Sequence, residues 1–301
     1  MGKVLVIGSS MYDLVTYTDI MPKAGETLTA NSFKMGFGGK GANQAIAAAK
    51  LGSDVAMVAA VGDDSFGDMM YQNFKSNDID TQFVYQIPNQ SSGIATIIVD
   101  ETSQNRILIV KGANLDLTKQ NIDDALANYT EIDFLILQLE IDLEIVYYAI
   151  EQAKKMGIPI LFNPAPAAKG LNLDIITQVD ILVPNETELE ILSAMPTSNM
   201  IEIKQAAQSL LNQGIGAIIV TLGAKGALYL TKESEILVAA PKVNAIDTTG
   251  AGDAFIGAFV SEYSVNKDIE GAIKFAIGYA SLSTTKKGTQ TSYISKDEYL
   301  A

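Results

Sequence analysis

The apolar residues of this 301-residue chain fall into short unbroken runs, which alternate with longer segments whose apolar positions recur at helical spacing. An unbroken apolar run is typical of a strand buried on both faces of a parallel sheet. Alternation of such strands with helices indicates parallel strands joined by right-handed crossovers. The sequence therefore predicts an α/β fold, with a mostly parallel central sheet and helices on both faces. The predicted core strands are residues 4–7, 55–61, 133–138, 159–162, 181–183, 217–221 and the hairpin 227–230 with 236–238. The predicted helices are residues 42–51, 65–75, 117–129, 143–156, 200–212 and two that close the chain.

Two segments show instead the alternation of polar and apolar residues that is typical of half-exposed strands. They comprise residues 26–30 with 32–35, and residues 93–100 with 106–111, the second pair joined by a polar turn at 101–105. We predict that residues 15–37 and 93–111 form one small sheet outside the main sheet. Residues 1–14, 38–92 and 112–301 would then form the α/β core. The apolar side chains that need cover are Ile94, Thr96, Ile98, Ile107 and Ile109.

The most informative stretch is residues 247–255, Asp-Thr-Thr-Gly-Ala-Gly-Asp-Ala-Phe. It is predicted to follow an apolar strand and to open a helix over 254–260. The free N–H groups at the start of such a helix form an anion site. A carboxylate here, Asp253, fits a base that takes a proton from a hydroxyl attacking a bound phosphoryl group. It fits equally well an ordinary aspartate in a first helical turn, and the local pattern leaves both open.

Polar residues also follow several predicted strands, at the sheet edge where open α/β folds bind their ligands. Asp13 follows the first strand, and Glu140, Asn163, Asn185 and Thr221 lie at the ends of later ones. Each of them also fits a loop or helix-cap role. Asn185 and Glu188 in particular are spaced as a capping box, and both interpretations can hold together.

The composition excludes several kinds of chemistry. The chain has no histidine and no cysteine, so a general base must be Asp, Glu, Lys or Tyr. Serine–histidine triads and zinc sites built from histidine or thiolate are excluded, and oxygen ligands favour magnesium or an alkali cation. The formal net charge of -14 argues against nucleic acid as a partner. No apolar run is long enough for a membrane span or a signal peptide, so we expect a cytoplasmic protein.

Two other nucleotide-binding motifs are disfavoured or absent. Residues 36–41 fit G-x-G-x-x-G, but they follow a predicted half-exposed strand and not the first core strand, which disfavours a Rossmann dehydrogenase. The P-loop pattern G-x-x-x-x-G-K-[ST] does not occur. Phosphate binding is therefore assigned to residues 250–253.

Residues 247–255 resemble the C-terminal signature of the ribokinase (PfkB) family of sugar kinases, and residues 38–45, Gly-Gly-Lys-Gly-Ala-Asn-Gln-Ala, resemble its N-terminal signature. Residues 163–167, 184–188 and 221–223 continue the resemblance in the family's order, over essentially the whole chain. It implies a ribokinase-like core with a β-sheet lid, a homodimer joined through the lid, and phosphorylation of a small sugar by ATP. The implied reaction converts D-ribose to D-ribose 5-phosphate. A family kinase for deoxyribose, fructose, a keto-deoxy sugar acid or a nucleoside is the alternative, and a non-catalytic protein that kept the pocket is a further one.

The resemblance also implies residue roles. Asp253 would be the base, and the amides of Gly250, Ala251 and Gly252 would form the anion hole. The implied sugar-binding residues are Met11, Asp13, Gly39, Lys40, Asn43, Glu140 and Asp253. Met11 stands where the family often has asparagine, so one hydrogen bond to the sugar is in question. The implied nucleotide-binding residues are Asn185, Thr221, Leu222, Gly223, Ala224, Lys225, Gly226, Gly252 and Ile277. Glu188 would act on magnesium through water. The implied potassium ligands are Asp247, Thr249, Ser283, Lys286, Gly288 and Ser292.

Overall fold

The computed structural model describes residues 1–102 and 104–301. The strands are β1 (Lys3–Ile7), β2 (Met11–Tyr17), β3 (Ser32–Gly38), β4 (Asp54–Gly62), β5 (Val84–Ile87), β6 (Gly93–Val99), β7 (Asn105–Val110), β8 (Phe134–Leu137), β9 (Ile160–Phe162), β10 (Ile181–Leu182), β11 (Ala217–Thr221), β12 (Ala227–Leu230) and β13 (Glu235–Val238). The helices are α1 (Lys40–Lys50), α2 (Ser65–Ser76), α3 (Lys119–Asn128), α4 (Leu143–Met156), α5 (Leu173–Ile176), α6 (Glu186–Ser193), α7 (Met200–Asn212), α8 (Ala251–Asn266), α9 (Ile269–Ser283) and α10 (Lys296–Leu300).

A nine-stranded sheet forms the centre of the molecule, in the order β13-β12-β11-β10-β9-β8-β1-β4-β5. The strands from β11 to β5 are all parallel, and only the β11–β12 and β12–β13 pairs are antiparallel. The predicted fold class is confirmed. Because the strands are parallel, their carboxyl ends meet at one edge of the sheet, where ligands of open α/β folds bind.

Helices cover both faces of this sheet, as the unbroken apolar strands require. In β1, Leu5 and Ile7 pack into a cluster that includes α3, α4 and α7. Val4 and Val6 point the other way, into a cluster that includes α1, α8 and α9. α1 and α8 belong to the same layer, so they lie on the same side of the sheet.

A second sheet of four strands, in the order β3-β2-β6-β7, stands beside the main sheet. β2 begins at Met11 and β3 ends at Gly38, so this sheet extends beyond the predicted segment 15–37 towards the core. Asp13 therefore lies within a strand and not in a loop or cap. The predicted strand at 26–30 is wrong, because these residues are largely exposed and pair with no strand in the described part of the chain. The predicted turn at 101–105 includes Ser103, which lies outside the described residues.

One face of the small sheet is apolar and open. The register places Leu14, Met35, Thr96 and Leu108 in one row, so these side chains share a face. Phe33, Met35, Leu108 and Val110 are each more than half exposed. By the same register, Ile107 and Ile109 lie on the opposite face from Ile94, Thr96 and Ile98.

Within the described residues, the helices are all too short or too polar to cross a bilayer.

We predict that this open apolar face makes the protein a homodimer joined through the small sheet. Light scattering at micromolar concentration should give twice the mass of one chain. Leu108→Lys should reduce that mass to a single chain, because a charge on this face would be buried in the dimer without a partner.

The matched control is Ile201→Lys, which changes an equally exposed apolar residue on α7, far from this sheet in sequence. It should leave the mass unchanged. A wild-type protein that is monomeric at this concentration would contradict the prediction.

Candidate active site

The first turn of α8 is the centre of the site. Gly250 caps this helix in the left-handed conformation, at φ 74°, and the N–H of Ala254 donates to its carbonyl at 2.8 Å. The helix therefore begins at Ala251, three residues earlier than predicted. The prediction of a strand directly before this stretch is also wrong, since β13 ends at Val238 and residues 239–250 are irregular. Gly252 and Asp253 consequently belong to the first helical turn.

The backbone of this turn is open to the cleft beside it. In the part of the chain that the structure describes, the N–H groups of Gly252 and Asp253 donate to no acceptor. A Cβ added to Gly252 would meet no atom within 4 Å, so the side of this residue is bare. Free amides at the positive end of a 16-residue helix are suited to hold an anion such as a phosphate.

The Asp253 side chain is buried and points away from solvent, unlike that of an ordinary first-turn aspartate. Its Oδ2 accepts from Nδ2 of Asn43 at 2.9 Å, and its Oδ1 accepts from Nε2 of Gln44 at 2.9 Å. Burial raises the pKa of Asp253, although Lys40 and the two amide donors oppose that rise. A carboxylate with a raised pKa beside an anion site is equipped to accept a proton.

The start of α1 supplies the residues opposite Asp253. Gly39, at φ 88°, caps this helix, and a Cβ there would lie 2.8 Å from the backbone nitrogen of Met11. The N–H of Lys40 donates to Oε2 of Glu140 at 2.8 Å. The Asp253 carboxylate raises the pKa of Lys40, with smaller help from Glu140, although burial alone would lower it. Lys40 therefore carries a positive charge into a site that has several carboxylates.

Met11 and Asp13 line the root of the small sheet. Alternation along β2 places both on the face opposite Tyr12, whose ring packs against Phe66 and Phe37. Burial, reinforced by the charge of Glu140, raises the pKa of Asp13 to about 6. Oε2 of Glu140 accepts from the Ser9 hydroxyl as well as from the Lys40 amide. Two carboxylates with room for further donors suit recognition of a polyhydroxylated ligand.

A cleft joins these elements. Of the predicted site residues, it is lined by Lys40, Asn185, Glu188, Thr221, Gly250, Gly252 and Asp253. Asn43 and Glu140 adjoin it through their bonds to Asp253 and Lys40. Ile277 is buried in α9 and does not line the cleft. The cleft is also lined by Asn163, which the sequence placed at a strand end on this edge, and by Ala165, Val183 and Ile256, to which the sequence assigned no binding role.

The far end of the cleft is formed by β11 and α6. The N–H of Thr221 donates to the carbonyl of Pro184 at 2.9 Å, which joins the ends of the two neighbouring strands. A 3-10 turn, Gly223–Lys225, follows β11 and completes the predicted stretch 221–226. Asn185 and Glu188 form the predicted capping box, with reciprocal bonds of 2.8 and 2.9 Å. Burial raises the pKa of Glu188, although the Asn185 N–H and Lys40 oppose that rise.

The predicted potassium ligands come from two segments that the structure brings into contact. Oδ1 of Asp247 accepts from the N–H of Thr249 at 3.0 Å, and Oδ2 accepts from that of Gly288 at 2.9 Å. These donors lower the pKa of Asp247, although burial by itself would raise it. The Asp247 N–H donates to the carbonyl of Thr284, beside Ser283, while Lys286 and Ser292 lie in the same loop as Gly288. The atoms that these residues offer as ligands are oxygens, which an alkali cation prefers.

In residues 1–102 and 104–301, no three acidic side chains converge into a metal cage. Magnesium does not need one, because it keeps several water ligands and is held largely by substrate phosphates. Glu188 fits such a water-mediated role, since it lines the cleft and only its Oε2 accepts the cap bond.

The chain as a whole is similar to known sugar kinases. Residues 1–296 match the pfkB family carbohydrate kinase. The deoxyribokinase of Salmonella typhi is 51% identical over 296 residues, which cover 98% of this chain and 97% of that protein. The ribokinase of Mus musculus is 41% identical over 294 residues, covering 96% of this chain and 91% of that protein. The structure of Arabidopsis thaliana ribokinase complexed with ribose and ATP is similar at a TM-score of 0.93 and 30% identity, covering 100% of this chain and 98% of that one. The resemblance read from the sequence motifs is confirmed.

We predict that Asp13→Asn stabilises the ligand-free protein at pH 8. Because the pKa of Asp13 is about 6 when folded and about 4 when unfolded, the folded state binds more protons between these values. Stability therefore falls as the pH rises through this window. Asparagine removes that loss, so the free energy of unfolding at pH 8 should rise by on the order of 2 kcal/mol.

Urea titrations at pH 8 and pH 4 measure this effect, and the gain should disappear at pH 4. Asp63→Asn, which changes an exposed carboxylate after β4, serves as the control and should show no gain. Equal stability of Asp13→Asn and the wild type at pH 8 would show that the Asp13 charge is not destabilising.

Proposed function

The chain belongs to the pfkB family of carbohydrate kinases, and from that premise we propose that it phosphorylates the 5-hydroxyl of a free pentose with ATP. The preferred pentose in this proposal is 2-deoxy-D-ribose, and D-ribose is the second candidate. The single observation that carries the reaction type is the position of Asp253, a buried carboxylate in the helical turn whose amides are free to hold a phosphate.

In the proposed reaction, Asp253 accepts the proton of the 5-hydroxyl as that oxygen forms a bond to the γ-phosphorus of ATP. The bond between the γ-phosphorus and the bridging oxygen breaks, and ADP leaves with that oxygen. The products are the sugar 5-phosphate, ADP and one proton, which Asp253 returns to solvent. The free amides of Gly252 and Asp253 stabilise the charge on the transferring group.

Lys40 and a magnesium ion would neutralise the remaining phosphate charge. Lys40 lines the cleft beside Asp253 and stays protonated, so its ammonium group is available to the transferring phosphoryl group. Magnesium would screen the charge of the nucleotide phosphates, with Glu188 holding one of its waters. A potassium ion among Asp247, Thr249, Ser283, Lys286, Gly288 and Ser292 would support the segment that precedes the anion site. The nucleotide would extend from the anion site towards Asn185 and residues 221–226.

Met11 is the reason for placing deoxyribose before ribose. It is buried on the same face of β2 as Asp13, and the family resemblance implies that both residues bind the sugar. A thioether offers no hydrogen-bond donor and only a weak acceptor, so a sugar hydroxyl buried against it would lose its partner. A deoxygenated sugar carbon carries no such cost. The deoxyribokinase relative supports this preference, whereas the ribokinase relatives support D-ribose, as the sequence predicts.

We predict that kcat/KM with ATP is highest for 2-deoxy-D-ribose in a panel that also contains D-ribose, D-fructose and a nucleoside. Met11→Asn should move the ratio of deoxyribose to ribose activity towards ribose by about tenfold, the value of one recovered hydrogen bond.

Met11→Leu is the matched control, because it keeps the site apolar and should keep the preference for deoxyribose. A ribose preference that is the same in the wild type, Met11→Asn and Met11→Leu would remove Met11 as the specificity residue. A preference for fructose or the nucleoside would assign the protein to a different branch of the family.

We predict that Asp253→Asn lowers kcat by about 10²–10⁴-fold, the usual value of general base catalysis. Asparagine keeps the shape of the side chain but is not able to take the proton. The KM for ATP should change little, since the phosphate-binding amides remain. In the same steady-state assay, Asp13→Asn should raise the KM for the sugar more than it lowers kcat. A variant that retains more than about a tenth of wild-type kcat would exclude Asp253 as the base.

We predict that activity rises when sodium is replaced by potassium at constant ionic strength. The physical reason is that a bound cation would order the Asp247 segment, which leads directly into Gly250. Asp247→Asn should remove the difference between the two salts, because it removes one unit of negative charge from the ion's ligands. Equal wild-type rates in both salts would dismiss the potassium site.

A further inference from the structure

Two amide side chains of α1 hold the carboxylate of Asp253, one on each oxygen. Nδ2 of Asn43 donates to Oδ2, and Nε2 of Gln44 donates to Oδ1, both at 2.9 Å. Gln44 is fully buried and has no role in the proposed reaction as described above. A carboxylate that accepts one amide donor on each oxygen is restrained in its rotation, and its ionised form is favoured.

The orientation of the Gln44 amide is set by its neighbours. Its Oε1 accepts from Nε2 of Gln138 at 2.7 Å, so its Nε2 must face Asp253. Nε2 of Gln44 also donates to Oδ1 of Asn163 at 3.3 Å, and Nδ2 of Asn163 donates to the carbonyl of Val183 at 2.9 Å. If the Gln44 amide were reversed, its oxygen would face two acceptors. The network therefore permits one orientation only.

Stability alone would not favour a glutamine at position 138. It is fully buried at the end of β8, and its Oε1 has no hydrogen-bond donor among the described residues. An unpaired buried carbonyl destabilises the fold, and an apolar side chain of similar size would avoid that cost. The one hydrogen bond that its side chain makes within the described residues is the bond that orients Gln44.

We propose that Gln44 and Gln138 are positioning residues for the base: Gln138 locks the Gln44 amide in the orientation that donates to Asp253, and this donor keeps the carboxylate ionised and directed at the sugar hydroxyl. This inference rests on the proposed role of Asp253. The other groups that act on Asp253 are Lys40 of α1, whose charge favours ionisation, and Glu140 and Glu188, whose charges oppose it. Tyr293 also lies near, but it is uncharged because burial keeps its pKa far above the usual value.

The test compares Gln44→Met and Gln138→Met with the wild type. Methionine has nearly the shape of glutamine but donates no hydrogen bond. In both variants the acidic limb of the pH profile of kcat/KM should move upwards by about one pH unit, the value of one lost hydrogen bond to a charged group. Stability does not distinguish the two roles, because Gln138→Met also leaves the buried Oε1 of Gln44 without its donor. A purely structural role for Gln138 predicts an unmoved acidic limb.

Ser53→Ala is the control. It removes another buried oxygen that lacks a partner in the described chain, between α1 and β4 and away from Asp253. It should leave the pH profile unchanged. If Gln44→Met does not fold, the double variant Gln44→Met/Gln138→Met removes both partners of their shared hydrogen bond and should show the same shift of the acidic limb. An acidic limb that stays in place in the folded variants would overturn the proposal.

A second measurement separates this proposal from the assignment of the substrate. The carboxyl ¹³C resonances of labelled aspartate can be titrated in the absence of sugar, with Asp253→Asn identifying the Asp253 signal. Its midpoint should rise in Gln44→Met and Gln138→Met even if no pentose in the panel is a substrate. An unchanged midpoint would refute the positioning role, whereas a raised midpoint without kinase activity would refute only the proposed function.

Discussion

The burial of one carboxylate at the start of a helix is the constraint on which this site depends. Asp253 lies in the first turn of α8, where the helix dipole favours a negative charge and burial opposes it. The charge of Asp253 therefore needs hydrogen-bond donors from a second helix, and α1 supplies them through Asn43 and Gln44. Because α1 follows directly after the small sheet, the position of the base is tied to the strands that hold the sugar-binding residues.

The carboxyl edge of the main sheet contributes less to stability than the rest of the core does. Below that edge, apolar strands pack on both faces against helices and hold few polar groups. Near this edge, Asp253 is buried and Asp13 is partly buried, both with raised pKa values, and Gln138 keeps an oxygen that is unpaired among the described residues. Each of these features is unfavourable in the ligand-free protein. The two carboxylates would be compensated by a ligand that brings hydroxyl donors and by the proton transfer that the proposed reaction requires.

The small sheet carries both the residues proposed to select the sugar and the face predicted to join two chains. Its root carries Met11 and Asp13, and its outer part exposes the apolar residues Phe33, Met35 and Leu108. A partner that covers the outer part would also restrict how the root moves. In the proposed function, the choice of sugar and the state of association are therefore properties of one structural element.

The sequence by itself determined the fold class, the family and most of the core elements, because apolar periodicity and motif residues are local properties. Helices α4 and α7 have the predicted bounds, and the capping box of Asn185 and Glu188 was visible from its spacing. Local pattern misplaced the start of α8 and predicted a strand at 26–30 that does not form, because a strand depends on a partner that alternation does not reveal. The hydrogen-bond network of Asp253 was decided only by the tertiary structure. Gln44 is separated by 209 residues from Asp253 and by 94 from Gln138, and only the packing of α1 and α8 against the sheet brings the three side chains together.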